Sequence, residues 1–291
     1  MKSVKKVVLC ATAALVAGAA GSVHADVLQY KFSQASGQVR EVLAEDRYIN
    51  PDSFLDIYAS AGTDRKVKIT ILRKDTGAEV ESKTSELLGF NSKIVVDSKS
   101  YYGAILRFNS PSEGTFVARQ DTLSSANKIV QTTQTEFVVD RTPPRTGEWF
   151  WSVPYGGGIQ GDGIPKFGTT EARNIGIKDV QDASGISSIN FKTEVINGPK
   201  TGLITNTGDV GYNESLKEAI IGGANVNDLF DKAFNSLGAN SKNKITFFVT
   251  DKAGNSSSSS MIFHNDSICP ATPIPVGYYD PAYGGNLYGV Q

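Results

Sequence analysis

Short segments in which apolar and polar residues alternate dominate the chain from Asp26 to Asp140. In KVKITILRK (66–74), Val67, Ile69 and Ile71 share one face, and Lys or Thr takes the other. A period of two marks a strand with one buried face. Asp75, Thr76 and Gly77 form a turn and AEVESKTS (78–85) returns, which predicts a hairpin. KIVVD (93–97), YYGAILRF (101–108), GTFVARQ (114–120), KIVQTT (128–133) and TEFVVD (135–140) predict further strands, separated by turns such as NSPSEG (109–114). Many short strands at this spacing predict a sandwich or barrel. SGQVREVLAEDRY (36–48) fits both a short helix, through Val39, Val42 and Leu43, and a strand, through Val39 and Glu41.

RTPPRTG (141–147) reads as a linker, because Pro143 and Pro144 cannot donate to a ladder and stiffen the joint. A second unit opens with EWFWSVPY (148–155), in which Trp149, Trp151 and Val153 alternate with Phe150 and Ser152, and a Gly-rich loop follows (156–163). IGIKDVQDASGISSINFKTEVING (175–198) predicts strand, turn, strand. The centre changes period. NESLKEAII (213–221) and NDLFDKAFNSLG (227–238) have helical spacing, with Leu229, Phe230, Ala233, Phe234 and Leu237 on one face, Asn227 to cap the start and Gly238 the end. This predicts a helical insertion over 213–238. NKITFFVTD (243–251) and SSSMIFHND (258–266) close the unit with a strand pair, as TEFVVD closes the first. Asp140 and Asp266 stand 126 residues apart. Matching last hairpins at this interval predict a tandem array of two β units, 26–140 and 141–268, with 269–291 as a linker or the start of a further domain.

The first 25 residues differ. A basic start, MKSVKK, precedes an apolar run without charge, and Val23 and Ala25 fill the −3 and −1 positions of a signal-peptidase site. This is the layout of a secretory signal. Removing it takes Lys+Arg from 29 to 26 against 30 acids, so the remainder carries −4. That charge does not fit a nucleic-acid partner. No second apolar run is long enough for a transmembrane helix. Cys10 leaves with the signal, so Cys269 remains without an internal partner. An odd cysteine in an oxidising compartment is a candidate for a bridge between two chains.

Three motifs, D-R-T-P-P (140–144), D-A-S-G-I (182–186) and T-D-K-A-G-N-S-S (250–257), resemble the bacterial Ig-like repeats of large exported adhesins and biofilm proteins. Residues 141–268 match all three in order. The first unit matches mainly at its end, where TLSSAN (122–127) stands in place of DKAGN. With its signal peptide, the chain is similar to the N-terminal part of large exported Ig-like proteins of enterobacteria, some carried on conjugative plasmids. The resemblance implies an all-β protein of two tandem Ig-like β-sandwich domains. It also implies a secreted or cell-surface location, and adhesion, cell–cell association or mating-pair contact with a protein or glycan on another cell. The alternative is a secreted carbohydrate-binding or carbohydrate-active protein.

Catalytic chemistry finds few residues. His264 is the one histidine past the signal, it lies near a serine run, and neither an orienting acid nor a G-x-S-x-G elbow accompanies it. The Gly-rich loop lacks the Lys and Ser/Thr of a phosphate loop. A non-enzymatic protein is therefore expected, with no cofactor other than calcium. Asp140, Asp182, Asp251, Asn255 and Asp266 fall at turns or strand ends and offer the hard oxygen atoms that calcium takes. The same residues also serve turns, where such side chains bond their own backbone. Two surfaces are candidates for a partner. One is Trp149 with Trp151, which either stack on a partner or fill the core. The other is the polar face of the second helix, Asp228, Asp231, Lys232 and Asn235.

Overall fold

A computed structural model describes residues 25–152, 158–159, 164–168, 174–198, 201–202, 204–221, 241–266, 278–280 and 285–287. The expected signal peptide, the Cys269 region and 227–238 lie outside these residues. No α-helix occurs among them, and none is long and apolar enough to cross a membrane.

Ten strands fill the first half: β1 (Asp26–Ser33), β2 (Val39–Leu43), β3 (Tyr48–Ile49), β4 (Phe54–Ser60), β5 (Arg65–Arg73), β6 (Glu79–Thr84), β7 (Lys93–Val96), β8 (Lys99–Asn109), β9 (Gly114–Ser124) and β10 (Ile129–Val139). They form two sheets, ordered β2-β1-β4-β8-β7 and β3-β10-β9-β5-β6. Both inner faces feed one core. Tyr30, Phe32, Leu55, Ile57 and Phe108 enter it from the first sheet, and Val67, Ile69, Ile71, Phe116 and Phe137 from the second. The alternating residues of KVKITILRK point as expected, and β5 pairs with β6 in the expected hairpin. Residues 36–48 resolve as strand β2 and one 3-10 turn, Ala44–Asp46.

The second half repeats this plan with β11 (Trp149–Ser152), β12 (Gly158–Ile159), β13 (Pro165–Gly168), β14 (Asn174–Ile177), β15 (Ile186–Asn197), β16 (Ile204–Asp209), β17 (Gly211–Asn213), β18 (Glu218–Ile221), β19 (Ser241–Asp251) and β20 (Ser256–Asp266). Its sheets run β11-β14-β18-β17 and β12-β13-β20-β19-β15-β16. The order β3-β10-β9-β5-β6 recurs as β13-β20-β19-β15-β16, including the short strand lying parallel to the last one. The series β1-β4-β8-β7 has its counterpart in β11-β14-β18-β17, with β1 pairing with β4 as β11 does with β14. A second core, with Ile175, Ile177, Phe191, Ile245, Phe247 and Phe263, lies between these sheets. A last pair, β21 (Tyr278–Asp280) and β22 (Gly285–Leu287), forms its own small sheet.

The helix expected over 213–221 is instead a hairpin. The Asn213 side-chain oxygen accepts from the amides of Ser215 and Leu216, which starts a turn. Lys217 reverses the chain at φ 56°. Ala219 and Ile221 then alternate into the core, while Leu216 is exposed in the turn. The β-branched pair Ile220 and Ile221 suits a half-buried ladder, and pairing with β14 and β17 supplies hydrogen bonds that a short isolated helix would lack. One other expectation shifts: KIVQTT and TEFVVD are one strand, β10. Residues 175–198 form strand, turn, strand as expected, and the two strands belong to opposite sheets.

Candidate metal centre

The three motifs that carry the Ig-like resemblance converge on one place. Asp140 follows the last residue of β10, Asp182 lies in the crossing from β14 to β15, and Asp251 ends β19. One carboxylate oxygen from each lies within 4.8 Å of the others. Asp251 is fully buried, Asp140 is 6% exposed and Asp182 is half-buried.

Each motif first builds its own turn. Asp140 Oδ1 accepts from the Thr142 amide at 3.0 Å. Asp182 Oδ1 accepts from the Ser184 amide and hydroxyl, both at 2.7 Å. Asp251 Oδ1 accepts from the amides of Gly254 (2.6 Å) and Asn255 (2.8 Å). Such capping is the ordinary work of Asp in turns. Gly254 closes its turn at φ 94°, a region that favours glycine. A Cβ there would also strike the Arg40 guanidinium.

Asn255 then ties the two halves together. Its amide nitrogen donates to the Asp140 carbonyl and to Asp251 Oδ2, both at 2.9 Å, and its oxygen accepts from Asn50 Nδ2 at 3.0 Å. Gln34 in turn donates to Asn50. Arg40 reaches across to the carbonyls of Ala253 and Lys252. The linker is also held at both ends. Arg141 lies in hydrogen-bonding range of Pro51, Ser110 and Pro111, and Arg145 exchanges backbone bonds with Gln181. A cleft of about 630 Å³ opens beside the cluster, lined among others by Tyr48, Glu113, Arg145, Tyr212 and Lys217.

Burial pushes the Asp140 carboxyl above the usual carboxylate range, and the charges of Asp182 and Asp251 push the same way; the Thr142 amide opposes them. The Ser184 hydroxyl also stands near Asp140, but its one proton goes to Asp182 at 2.7 Å. Asp140 Oδ2 has no hydrogen-bond partner. Burial likewise raises Asp251, against the bonds from Asn255 and Gly254. Arg40 is lowered by its own burial, with Asp251 acting against that shift.

Of the five expected calcium ligands, Asp140, Asp182 and Asp251 meet, and Asn255 is beside them as a donor to two of them. Asp266 does not belong. In the β19–β20 hairpin, Thr250 pairs with Ser256 at the cluster end and Ser241 with Asn265 at the other. At about 3.3 Å per residue, Asp266 lies roughly 35 Å along the strand from Asp251. Ending a unit, as Asp140 also does, does not fix which end of the sandwich a residue occupies. Trp149 packs on the second core, its ring 4.9 Å from that of Phe247, and its Nε1 donates to Ser259 Oγ at 2.8 Å. Phe150 is buried too. The side chain of Trp151 and the residues Asp228, Asp231, Lys232 and Asn235 lie outside the described residues. Sequence reasoning missed Arg40 and Asn50. Both are single polar residues in or beside short strands, with no motif to single them out.

Residues 23–142 match the family model described as Domain of unknown function (DUF4165), and residues 143–267 match that described as Bacterial Ig-like domain. No curated protein matches the chain. Among solved structures, the fibronectin(III)-like modules of Clostridium thermocellum CbhA are 12% identical, covering 76% of this chain and 89% of theirs at a TM-score of 0.33. The C-terminal domain of the Streptococcus agalactiae AgI/II polypeptide BspA is 10% identical, covering 81% and 99% at a TM-score of 0.25. Residues 143–267 are thus a bacterial Ig-like domain.

Proposed function

We propose that the chain is an exported, non-enzymatic surface protein whose two tandem Ig-like β-sandwich units present a contact surface to another cell, in adhesion or in mating-pair contact. The repeated strand order carries this reading. The second half matches the bacterial Ig-like family, and the first half follows nearly the same topology around its own core. The residues that carry the resemblance are spent on turns and on the joint, which fits a structural and display role rather than catalysis. Trp149 packs with a tilted ring against Phe247 and is partly buried on the core of the module, and this weighs against the carbohydrate-binding alternative.

Two measurements test the proposal. Fractionation with protease shaving of intact cells should find the chain processed near Ala25 and accessible outside. Cells expressing it should then associate with partner cells more than cells lacking it. Retention of an uncleaved chain in the cytoplasm would end the reading, and surface exposure without any gain in association would remove the contact role.

A further inference from the structure

β10 is a long strand with one bare side. Among the described residues, β3 covers that side only at Val138 and Val139, while β9 pairs with the other side as far as Ile129. The Val138 amide donates to the Arg47 carbonyl, away from β9. Alternation along an antiparallel strand then turns the N–H and C=O of Glu136, Gln134 and Thr132 outward as well. Ile129 and Val130 are 62% and 52% exposed. Unpaired edges invite another strand, and proteins usually blunt them with charge, proline, a bulge or short length. The other edges of the first unit follow that rule. β2 carries Arg40 and Glu41, β6 carries Glu79, Glu81 and Lys83, and β7 is short. β10 runs from Ile129 to Thr135 without charge, proline or glycine, and its one irregularity, between Ile129 and Gln131, lies at its end.

We propose that β10 pairs with β10 of a second copy of this chain, antiparallel about a twofold axis at Thr132. Charge selects both the occupant and the register. An uncharged run, Ile129 to Thr135, separates Lys128 from Glu136, so an axis at Thr132 sets Lys128 of each copy opposite Glu136 of the other. Thr132, whose backbone groups point outward, then meets itself in a hydrogen-bonded pair. The two ends of the edge match in the same sense. At the Lys128 end, Arg65 and Lys66 lie beside the β9–β10 turn, where Lys66 Nζ donates to Asn127 at 3.0 Å, and the acid next to them in the chain is Asp64. At the Glu136 end, a cleft of about 910 Å³ is lined by Asp26, Glu45, Asp97 and Glu136 against Arg47 and Lys99. Glu136 already holds Lys74 at 2.7 Å, yet its side chain is 42% exposed and open to a second cation. The basic tip of each copy thus faces the acidic cleft of the other.

This inference does not rest on the surface-contact reading, because it is tested on the purified chain without cells. One strand pair with ionic ends is a small interface, so a weak dimer with a micromolar dissociation constant is expected. Sedimentation velocity from about 1 μM to about 300 μM spans that range, and should show monomer giving way to dimer. Gln134→Pro removes an outward N–H and keeps the ladder with β9, as proline on an edge does. It should leave a monomer at every concentration. Lys128→Glu puts a carboxylate opposite Glu136, and Glu136→Lys puts an ammonium group opposite Lys128. Each alone should weaken association tenfold or more, and an equimolar mixture of the two, in which both pairs are restored, should associate like the parent. Lys128 and Glu136 are both exposed, so the charge variants stay informative if Gln134→Pro does not fold. A parent that remains monomeric throughout would overturn the proposal. So would a dimer that survives Gln134→Pro unchanged, or charge variants that do not recover on mixing.

Discussion

Replacing Asn255 tests the joint directly. Both protons of its amide are used, one on the Asp140 carbonyl and one on Asp251 Oδ2, and its oxygen takes a proton from Asn50. Asn255→Ala removes all three bonds. A neutral hydrogen bond contributes about 1 kcal/mol net and one to a charged group about 1.5–3 kcal/mol, so the bare sum is roughly 3.5–5 kcal/mol. Asn255 is half-buried, and water will replace part of what is lost. A net loss of about 2–3 kcal/mol is expected. Asn255→Asp should be worse than Ala in EDTA, because it turns an oxygen towards Asp251 and the Asp140 carbonyl where a donor stood. Urea denaturation followed by tryptophan fluorescence is the assay. Both tryptophans, Trp149 and Trp151, lie in the second half, so the signal reports the half that holds Asp251. A loss below about 0.5 kcal/mol for Ala, the scale of an ordinary surface change, would refute the reasoning. An Asp variant as stable as the Ala variant would refute it too.

Three other outcomes are expected. Gly103→Ala should cost about 1–3 kcal/mol, the usual scale of overpacking, since its Cβ would strike the Ala59 carbonyl on the neighbouring strand and come 2.8 Å from Ile94 Cδ1; chemical denaturation measures it. In a double-mutant cycle, Trp149→Phe and Ser259→Ala should couple by about 1 kcal/mol, the net value of the Nε1 bond, and additive effects would show that the bond contributes nothing. Lys217→Gly should leave thermal stability unchanged or raise it by up to about 1 kcal/mol, because a left-handed turn residue is relieved. In a helix the same change would cost about that much, so the sign separates the hairpin from the helix.

How much of this was legible in the sequence depended on whether each strand has one wet face. β5 alternates, and its pattern and hairpin were readable. β4 is buried along nearly its whole length, so FLDIYAS carries no period to read. β10 was split in two because its middle, Gln131 to Gln134, is polar and largely exposed although its backbone stays paired with β9. Over 213–221 the helical and strand periods both place apolar residues acceptably. The Asn213 turn and the ladder with β14, both beyond a local pattern, decide it. At the site, residue type and turn position found Asp140, Asp182 and Asp251, because each motif closes its own turn before it meets the others. Their meeting follows from sheet topology, which short motifs do not encode, and this is also why Asp266 was grouped with them in error.

The short parallel strand beside each closing strand has a mechanical consequence. The Val138 amide donates to the Arg47 carbonyl and the Asp140 amide to that of Ile49, so the chain leaves the first half while bonded to β3 on one side and β9 on the other. β20 is likewise flanked by β13 and β19. Ladder hydrogen bonds lie across the strand direction. Tension along the polypeptide at Asp140 therefore loads both rows in shear, and many bonds must yield together before β10 slides. A strand held only on one side and pulled from its end would unzip one bond at a time. The two rows together make β10 resist a pull along the chain at Asp140 more than either row alone would.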